Sequence, residues 1–212
     1  MMRETNQAKL YAIPTQEKDK FLTRSMKRLF DIIFSLILLL PMIPVILFFC
    51  IIIVLETPGF PIYYQERLGI YGKRFNVFKL RSMVIDAEKN GPQWANKDDP
   101  RITKVGLFIR RTRIDEIPQL INILKGEMSF VGPRPEREYF YKKFETYIPE
   151  FKRRLLVKPG LTGWAQINGG YNLDPKEKLE LDMEYIRLKT IRMDIRILCK
   201  TVLIIWNGKG AR

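Results

Sequence analysis

Residues 29–55 read LFDIIFSLILLLPMIPVILFFCIIIVL, a run whose only charge is Asp31. At about 1.5 Å per residue, a continuous helix of this length reaches ~40 Å, more than the ~30 Å hydrocarbon core of a bilayer. The run is too long and starts too late for a cleaved secretion signal, and no small-residue cleavage site follows it. Pro41 and Pro44 interrupt its middle, where each removes a backbone donor and crowds the preceding turn, so a kink is expected there. Its flanks are both basic: Arg24, Lys27 and Arg28 precede it, and Arg67, Lys73, Arg74 and Lys79 follow it. Basic flanks favour the cytosolic side of a membrane. Two topologies therefore stay open on the residues alone. One is a kinked spanning helix, since prolines are tolerated inside membrane helices. The other is a re-entrant helix that enters, bends at the prolines and returns. The 12 residues from Leu29 to Leu40 reach ~18 Å, about the middle of the core. Lys27 and Arg28 are expected to reach lipid headgroups, with Asp31 close enough to pair with them.

Outward from this segment, the 212-residue chain carries a net charge of +14 and 46% hydrophobic residues. The charge favours a polyanionic partner, whether nucleic acid, an anionic membrane surface or a phosphorylated substrate. The hydrophobic content excludes a disordered chain. There are no histidines, which removes the commonest general base and transition-metal ligand. Acid–base or metal chemistry must then run on carboxylates, which suit a hard ion such as magnesium. Cys50 and Cys199 stand alone in apolar stretches and read as buried, reduced thiols.

Phe60–Tyr64 and Arg74–Leu80, around a Gly69 to Gly72 turn, read as a β-hairpin. Residues 90–100 read as a loop, and Thr103–Arg110 as a short helix. Asp115–Lys125 reads as a second helix that Asp115 would cap and Gly126 would end. Residues 128–131 suggest a strand, and 158–170 a loop with four glycines. Pro175–Lys189 and Arg192–Trp206 read as helices. In the last, Ile191, Ile195, Leu198, Val202 and Ile205 form a stripe opposite Arg192, Arg196 and Lys200, suited to a core or to an anionic lipid surface.

The chemistry concentrates in RTRIDEIPQLINILKGEMSFVGPRP, residues 111–135. Asp115 and Glu116 lie beside Arg110, Arg111 and Arg113. A carboxylate in such surroundings should stay ionised and could bind magnesium or attack phosphorus, with Glu116 as a second ligand or acid–base group. Arg134, between Pro133 and Pro135, has a restricted backbone and suits bidentate phosphate binding. Lys79, Arg81 and Arg110 could add phosphate contacts.

Together these motifs resemble a known family. Lys27-Arg28-Leu29-Phe30-Asp31, Tyr64 to Gly69, Phe78 to Met83, Asp99 to Thr103, Ile114 to Leu120, Gly126 to Pro135 and Pro159 to Gly169 occur in the order seen in the monotopic phosphoglycosyl transferases, the bacterial sugar transferases. The resemblance implies transfer of a sugar-1-phosphate from a UDP-sugar to polyprenol (undecaprenyl) phosphate with release of UMP, initiating exopolysaccharide, capsule or glycoprotein glycan synthesis. It implies Mg2+, Asp115 as nucleophile and metal ligand, Glu116 as its dyad partner, and Arg110 and Arg134 at the phosphates; Pro133, Pro135 and Gln166 are assigned to the same site. The apolar segment is re-entrant in that family, which places the enzyme at the cytosolic face of the bacterial inner membrane. The chain departs from the pattern at Leu40-Pro41, where many members have Ser-Pro, and at Gly170, where some have Arg.

The expected architecture is an α+β protein, mainly helical: a polar segment over 1–20, a re-entrant membrane element over 21–57, and a catalytic domain over 58–212 with a small β-hairpin and amphipathic interfacial helices. Expected partners are the UDP-sugar, polyprenol phosphate and anionic lipids, without nucleic acid; self-association is compatible. The alternative is a non-enzymatic basic scaffold anchored in the membrane, binding nucleic acid or anionic lipid.

Overall fold

A computed structural model describes residues 20–207, except 90, 92, 94–98, 171 and 172. The polar segment over 1–20 therefore lies almost wholly outside the described residues, as does most of the loop over 90–100. The described chain is mainly helical, with two small two-stranded sheets.

Helix α1 runs continuously over Lys20–Glu56 with Pro41 and Pro44 inside it. It is long and apolar enough to cross a membrane. Its residues divide by face. Asp31, Ser35 and Ile53 are buried, and Leu39, Ile46, Phe49 and Cys50 pack on the cores beneath. Steps of three and four residues put these on one stripe. Leu29, Ile33, Leu36, Ile37, Leu40, Leu47, Ile51 and Leu55 are exposed on the others. Both prolines are exposed too, so the amide hydrogens they lack are missing on the outward side.

Polar contacts fasten both ends of α1 to the same globular body. Lys27 Nζ donates to Asp194 Oδ2 at 2.5 Å and to Val131 O at 3.0 Å. Arg28 donates to the carbonyls of Ile123 and Leu124. Asp31 Oδ1 accepts from Ser129 Oγ and the Phe130 amide, each at 3.1 Å. These contacts correct the expectation that Lys27 and Arg28 reach for headgroups: all three turn inward, where buried polar atoms need partners, and both cations stay close enough to act on the Asp31 charge. At the far end, Glu56 accepts from the Lys104 and Val105 amides, and Arg81 bonds to Thr57 and Pro58.

Strands β1 (Ile62–Leu68) and β2 (Arg74–Leu80) form the antiparallel hairpin, with Ile62 opposite Leu80 and Leu68 opposite Arg74. Helix α2 (Lys104–Arg111) is capped by the Thr103 hydroxyl. A 3-10 turn over Ile114–Glu116 precedes α3 (Gln119–Lys125), which ends at Gly126 with φ 82°. Strand β3 (Ser129–Val131) pairs in parallel with β4 (Gly160–Thr162). The segment over 158–170 is thus more than a loop, since it holds β4 and the one-turn helix α5 (Trp164–Ile167). The two strands approach so closely that a Cβ on Gly160 would lie 2.1 Å from the Gly132 nitrogen, which only glycine permits. Helices α4 (Glu138–Glu145), α6 (Pro175–Leu188) and α7 (Ile191–Trp206) complete the fold, with a 3-10 segment over Phe151–Leu156. Asp174 and Glu177 make a reciprocal capping box at the start of α6.

The main core joins β2, α3, β3, α6 and α7 through Val77, Ile123, Met128, Phe130, Tyr185 and Ile197. A second, aromatic core forms around Tyr141, Phe144 and Phe151. A third joins Ile53, Leu80 and Ile109, binding α1 to the hairpin and α2. On α7 the apolar stripe is divided: Leu198 packs on the main core. Ile197 is buried, while Ile191, Ile195, Val202, Leu203, Ile205 and Trp206 are exposed. Cys199 is exposed as well, not buried, whereas Cys50 is half-buried; both are free thiols.

Candidate active site

Arg113 adopts the left-handed conformation (φ 60°, ψ 15°) and turns the chain into the 3-10 segment that carries Asp115 and Glu116. Such a conformation is uncommon outside glycine. Asp115 does not cap α3: the N-terminal boundary residue of that helix is Pro118, with no side-chain cap. Both carboxylates are buried, at 6% and 7% exposure, yet both line a cavity of about 320 Å³.

The two acids have opposite surroundings. Glu116 Oε1 accepts from Lys79 Nζ at 2.9 Å and from Arg134 Nη2 at 2.5 Å, and Arg113 Nη1 lies 3.9 Å from Oε2. Burial works against its charge, but Arg134, Lys79 and Arg113 outweigh it and hold the carboxyl well below its usual range. Asp115 Oδ1 has no hydrogen-bond partner among the described residues. Burial pushes its pKa up to about 6; Glu116 adds to the rise, and Lys79, Arg110 and Arg113 limit it. Environments that push paired acids apart assign them different roles. Glu116 is a fixed, neutralised anion, and Asp115 is an uncommitted carboxyl at the cavity wall.

Long-range contacts set this geometry. Asn122 of α3 donates to Asn76 O and accepts from the Phe78 amide, which fixes α3 against β2 and brings Lys79 to Glu116. The Pro133–Pro135 turn is fastened to β4, where the Gly160 amide donates to Pro133 O at 3.0 Å. Behind it, Arg154 Nη2 donates to Arg134 O at 3.1 Å, and Arg154 Nε donates to Asp182 Oδ2 at 2.6 Å. Burial opposes the Arg154 charge, and Asp182 with Tyr141 and Glu136 more than offsets it, so its pKa is raised.

The structure gathers most of the sequence-assigned residues around one cavity. Arg110, Lys79, Arg134, Pro135 and Gln166 line it beside the acid pair, whereas Pro133 is not part of its lining. Arg81 also lines it, but its guanidinium holds the carbonyls that follow α1, so it joins the long apolar helix to the site. The cavity extends to a polar wall that sequence reading did not assign. There Arg137 makes two bonds to Glu88, Arg67 pairs with Glu136, and Gln65 donates to Glu88 and Tyr63. Among the described residues, ten arginines and lysines line the cavity against five carboxylates, a balance that suits a polyphosphate.

A magnesium ion fits this donor set. Asp115 offers a buried carboxylate oxygen without a partner, and magnesium commonly takes one or two carboxylates together with substrate phosphates and water. No group of three or more acidic, thiol or imidazole side chains converges among the described residues, so substrate oxygens and water would complete the shell.

Residues 22–208 match the sequence model of the family described as bacterial sugar transferase. A Bacillus subtilis (strain 168) protein, provisionally named an undecaprenyl-phosphate N-acetylgalactosaminyl 1-phosphate transferase, is 60% identical over 131 residues, covering 62% of this chain and 73% of that protein. The UDP-N-acetylgalactosamine-undecaprenyl-phosphate N-acetylgalactosaminephosphotransferase of Aeromonas hydrophila is 41% identical over 88% of this chain. The UDP-glucose:undecaprenyl-phosphate glucose-1-phosphate transferase of Escherichia coli (strain K12) is 42% identical over 89% of it. The matches span 45% and 42% of the latter two proteins, so the chain corresponds to less than half of their length.

Proposed function

The chain belongs to the bacterial sugar transferase family, and from this premise we propose that it moves a sugar-1-phosphate from a UDP-sugar to polyprenyl phosphate at the cytosolic face of the bacterial inner membrane. The observation that carries the reading is the divided acid pair: Glu116 neutralised by Lys79 and Arg134, and Asp115 with an unpartnered oxygen in a cavity rich in cations.

In this reading Asp115 attacks the β-phosphorus of the UDP-sugar. The bond from that phosphorus to the bridging oxygen breaks, UMP leaves, and the sugar phosphate remains as an acyl phosphate on Asp115. An oxygen of the lipid phosphate then attacks the same phosphorus, forms the diphosphate and restores the carboxylate. Lys79, Arg110 and Arg134 offset the developing charge. Glu116 keeps Lys79 and Arg134 in place. Magnesium, when bound, would neutralise diphosphate charge. The sugar is open; release of UMP from a panel of UDP-sugars, with polyprenyl phosphate and magnesium, identifies it. One or more donors should give acceptor-dependent UMP. Absence of release across the panel overturns the reading.

The attachment of both ends of α1 to one globular body supports a re-entrant or surface-lying helix, since a spanning helix would carry one end away from that body. Single cysteines at Arg24→Cys and Glu66→Cys, in a background without Cys50 and Cys199, are expected to react with an impermeant thiol reagent from the same side of sealed vesicles. Reaction from opposite sides contradicts this topology.

The Asp115 environment also sets a pH dependence. A nucleophilic carboxylate must be ionised, and its pKa is about 6. Donor kcat/KM, which reports the free enzyme, should therefore rise from pH 5 to 7 with a midpoint near 6. A profile that is flat across this range contradicts the assignment.

A further inference from the structure

A second cavity of about 300 Å³ adjoins the first. Leu38 and Met42 of α1 form one wall, and Leu198 and Ile205 of α7 form the other. Phe130 and Leu161 contribute to its floor. Its surface is almost entirely apolar, unlike the cationic cavity beside it. The two meet at Arg113, Glu116 and Gln166, which line both. At this junction Gln166 Oε1 is buried and has no hydrogen-bond partner among the described residues.

The helices that wall this cavity also present exposed apolar faces. Ile37 and Leu40 lie on α1, and Val202, Leu203 and Trp206 on α7, with Trp206 88% exposed. One end of the apolar cavity therefore meets the acid pair, while its walls continue into the surface offered to lipid. A ligand that follows this path has a hydrocarbon chain and an anionic head: the chain gains by leaving water, and the head reaches Arg113 and the cations beyond. The nucleotide donor, polar throughout, matches the other cavity.

We propose that the cavity between α1 and α7 holds the first segment of the prenyl chain of the acceptor and delivers its phosphate to the edge of the acid pair. This rests on the proposed function and adds a site to it. Two cavity-filling variants on opposite walls, Met42→Trp and Leu198→Trp, test it alongside wild type. The measurements are acceptor KM with a long-chain polyprenyl phosphate and acceptor-independent exchange of labelled UMP into the UDP-sugar. Each variant should raise acceptor KM about ten-fold or more, the scale on which a hydrophobic pocket discriminates against changes of a methylene or two, and should keep its UMP exchange. An unchanged acceptor KM overturns the proposal, as does a parallel loss of exchange in both variants.

A photoreactive prenyl phosphate gives a second reading that does not depend on the variants. It should label peptides spanning residues 38–42 and 198–205, in competition with unlabelled prenyl phosphate. Labelling confined to other segments, or displaced by bilayer phospholipid and not by prenyl phosphate, also overturns it. Failure of the proposed function would look different, because the wild-type protein would then show no UMP exchange at all.

Discussion

Asp115→Asn is expected to abolish sugar-phosphate transfer, by at least about 1,000-fold, while the protein still folds and enters membranes. Loss of a nucleophile removes the covalent route, and effects of that size or larger are usual for groups that act as a unit. The folding half of the prediction has its own basis. The Asp115 pKa is raised from 3.8 to about 6, so between these values the folded state binds the proton more tightly than the unfolded state. Stability therefore falls as pH rises through this range. At neutral pH the buried charge costs on the order of 3 kcal/mol. Asparagine removes that charge with little change in shape, so the variant should be as stable as wild type or more so. Thermal unfolding and phosphosugar transfer, measured on one preparation, check both halves. An active variant overturns the assignment of Asp115.

Arg154→Met is expected to be the most damaging change outside the acid pair. Arg154 and Asp182 are 3% and 1% exposed, and removing one member of a buried ion pair leaves the other charge uncompensated, at about 3–5 kcal/mol. That is a large part of the 5–15 kcal/mol typical of a folded domain, and should lower the melting temperature by on the order of 10 °C. The hydrogen bond from Arg154 to the Arg134 carbonyl is lost as well, so activity should fall beyond the loss of folded protein. The double variant Arg154→Met/Asp182→Leu should recover much of the stability, since replacing both charges by apolar groups is often neutral. It should not recover activity, because the Pro133–Pro135 turn keeps its bond to Gly160 but still lacks the one from Arg154. Full recovery of activity would show that Arg154 only stabilises the fold.

Much of this could be read locally. The apolar composition of residues 29–55 marked the long apolar helix, the two runs around the Gly69 to Gly72 turn marked the hairpin, and Thr103 and Gly126 marked helix ends, because each signal lies within a few residues of what it specifies. Asp115, Glu116 and Arg134 lie within 20 residues of one another, and local charge was enough to single them out. The failures share a physical cause. Lys27, Arg28 and Asp31 look like residues for a lipid interface, but their partners are 95 to 167 residues away. Arg154 reads as one of several basic residues before Pro159, and only the packing of α6 brings Asp182 to it. Strand β4 is three residues long in a glycine-rich stretch, too short to show alternation. The division of labour between the two acids was equally hidden, because it arises from Lys79 on β2, 37 residues from Glu116, and from burial that no local pattern records.

The central claim is that the sugar phosphate rests covalently on Asp115 between donor and acceptor. The most direct measurement incubates the wild-type protein with a UDP-sugar that it uses and magnesium, without acceptor, and examines the peptide carrying residues 114–125 by mass spectrometry after rapid acid quench. The account predicts a mass increase of one sugar phosphate on Asp115, lost when polyprenyl phosphate is added and absent in Asp115→Asn. An unmodified Asp115 in a preparation that transfers the sugar phosphate on addition of acceptor would contradict it.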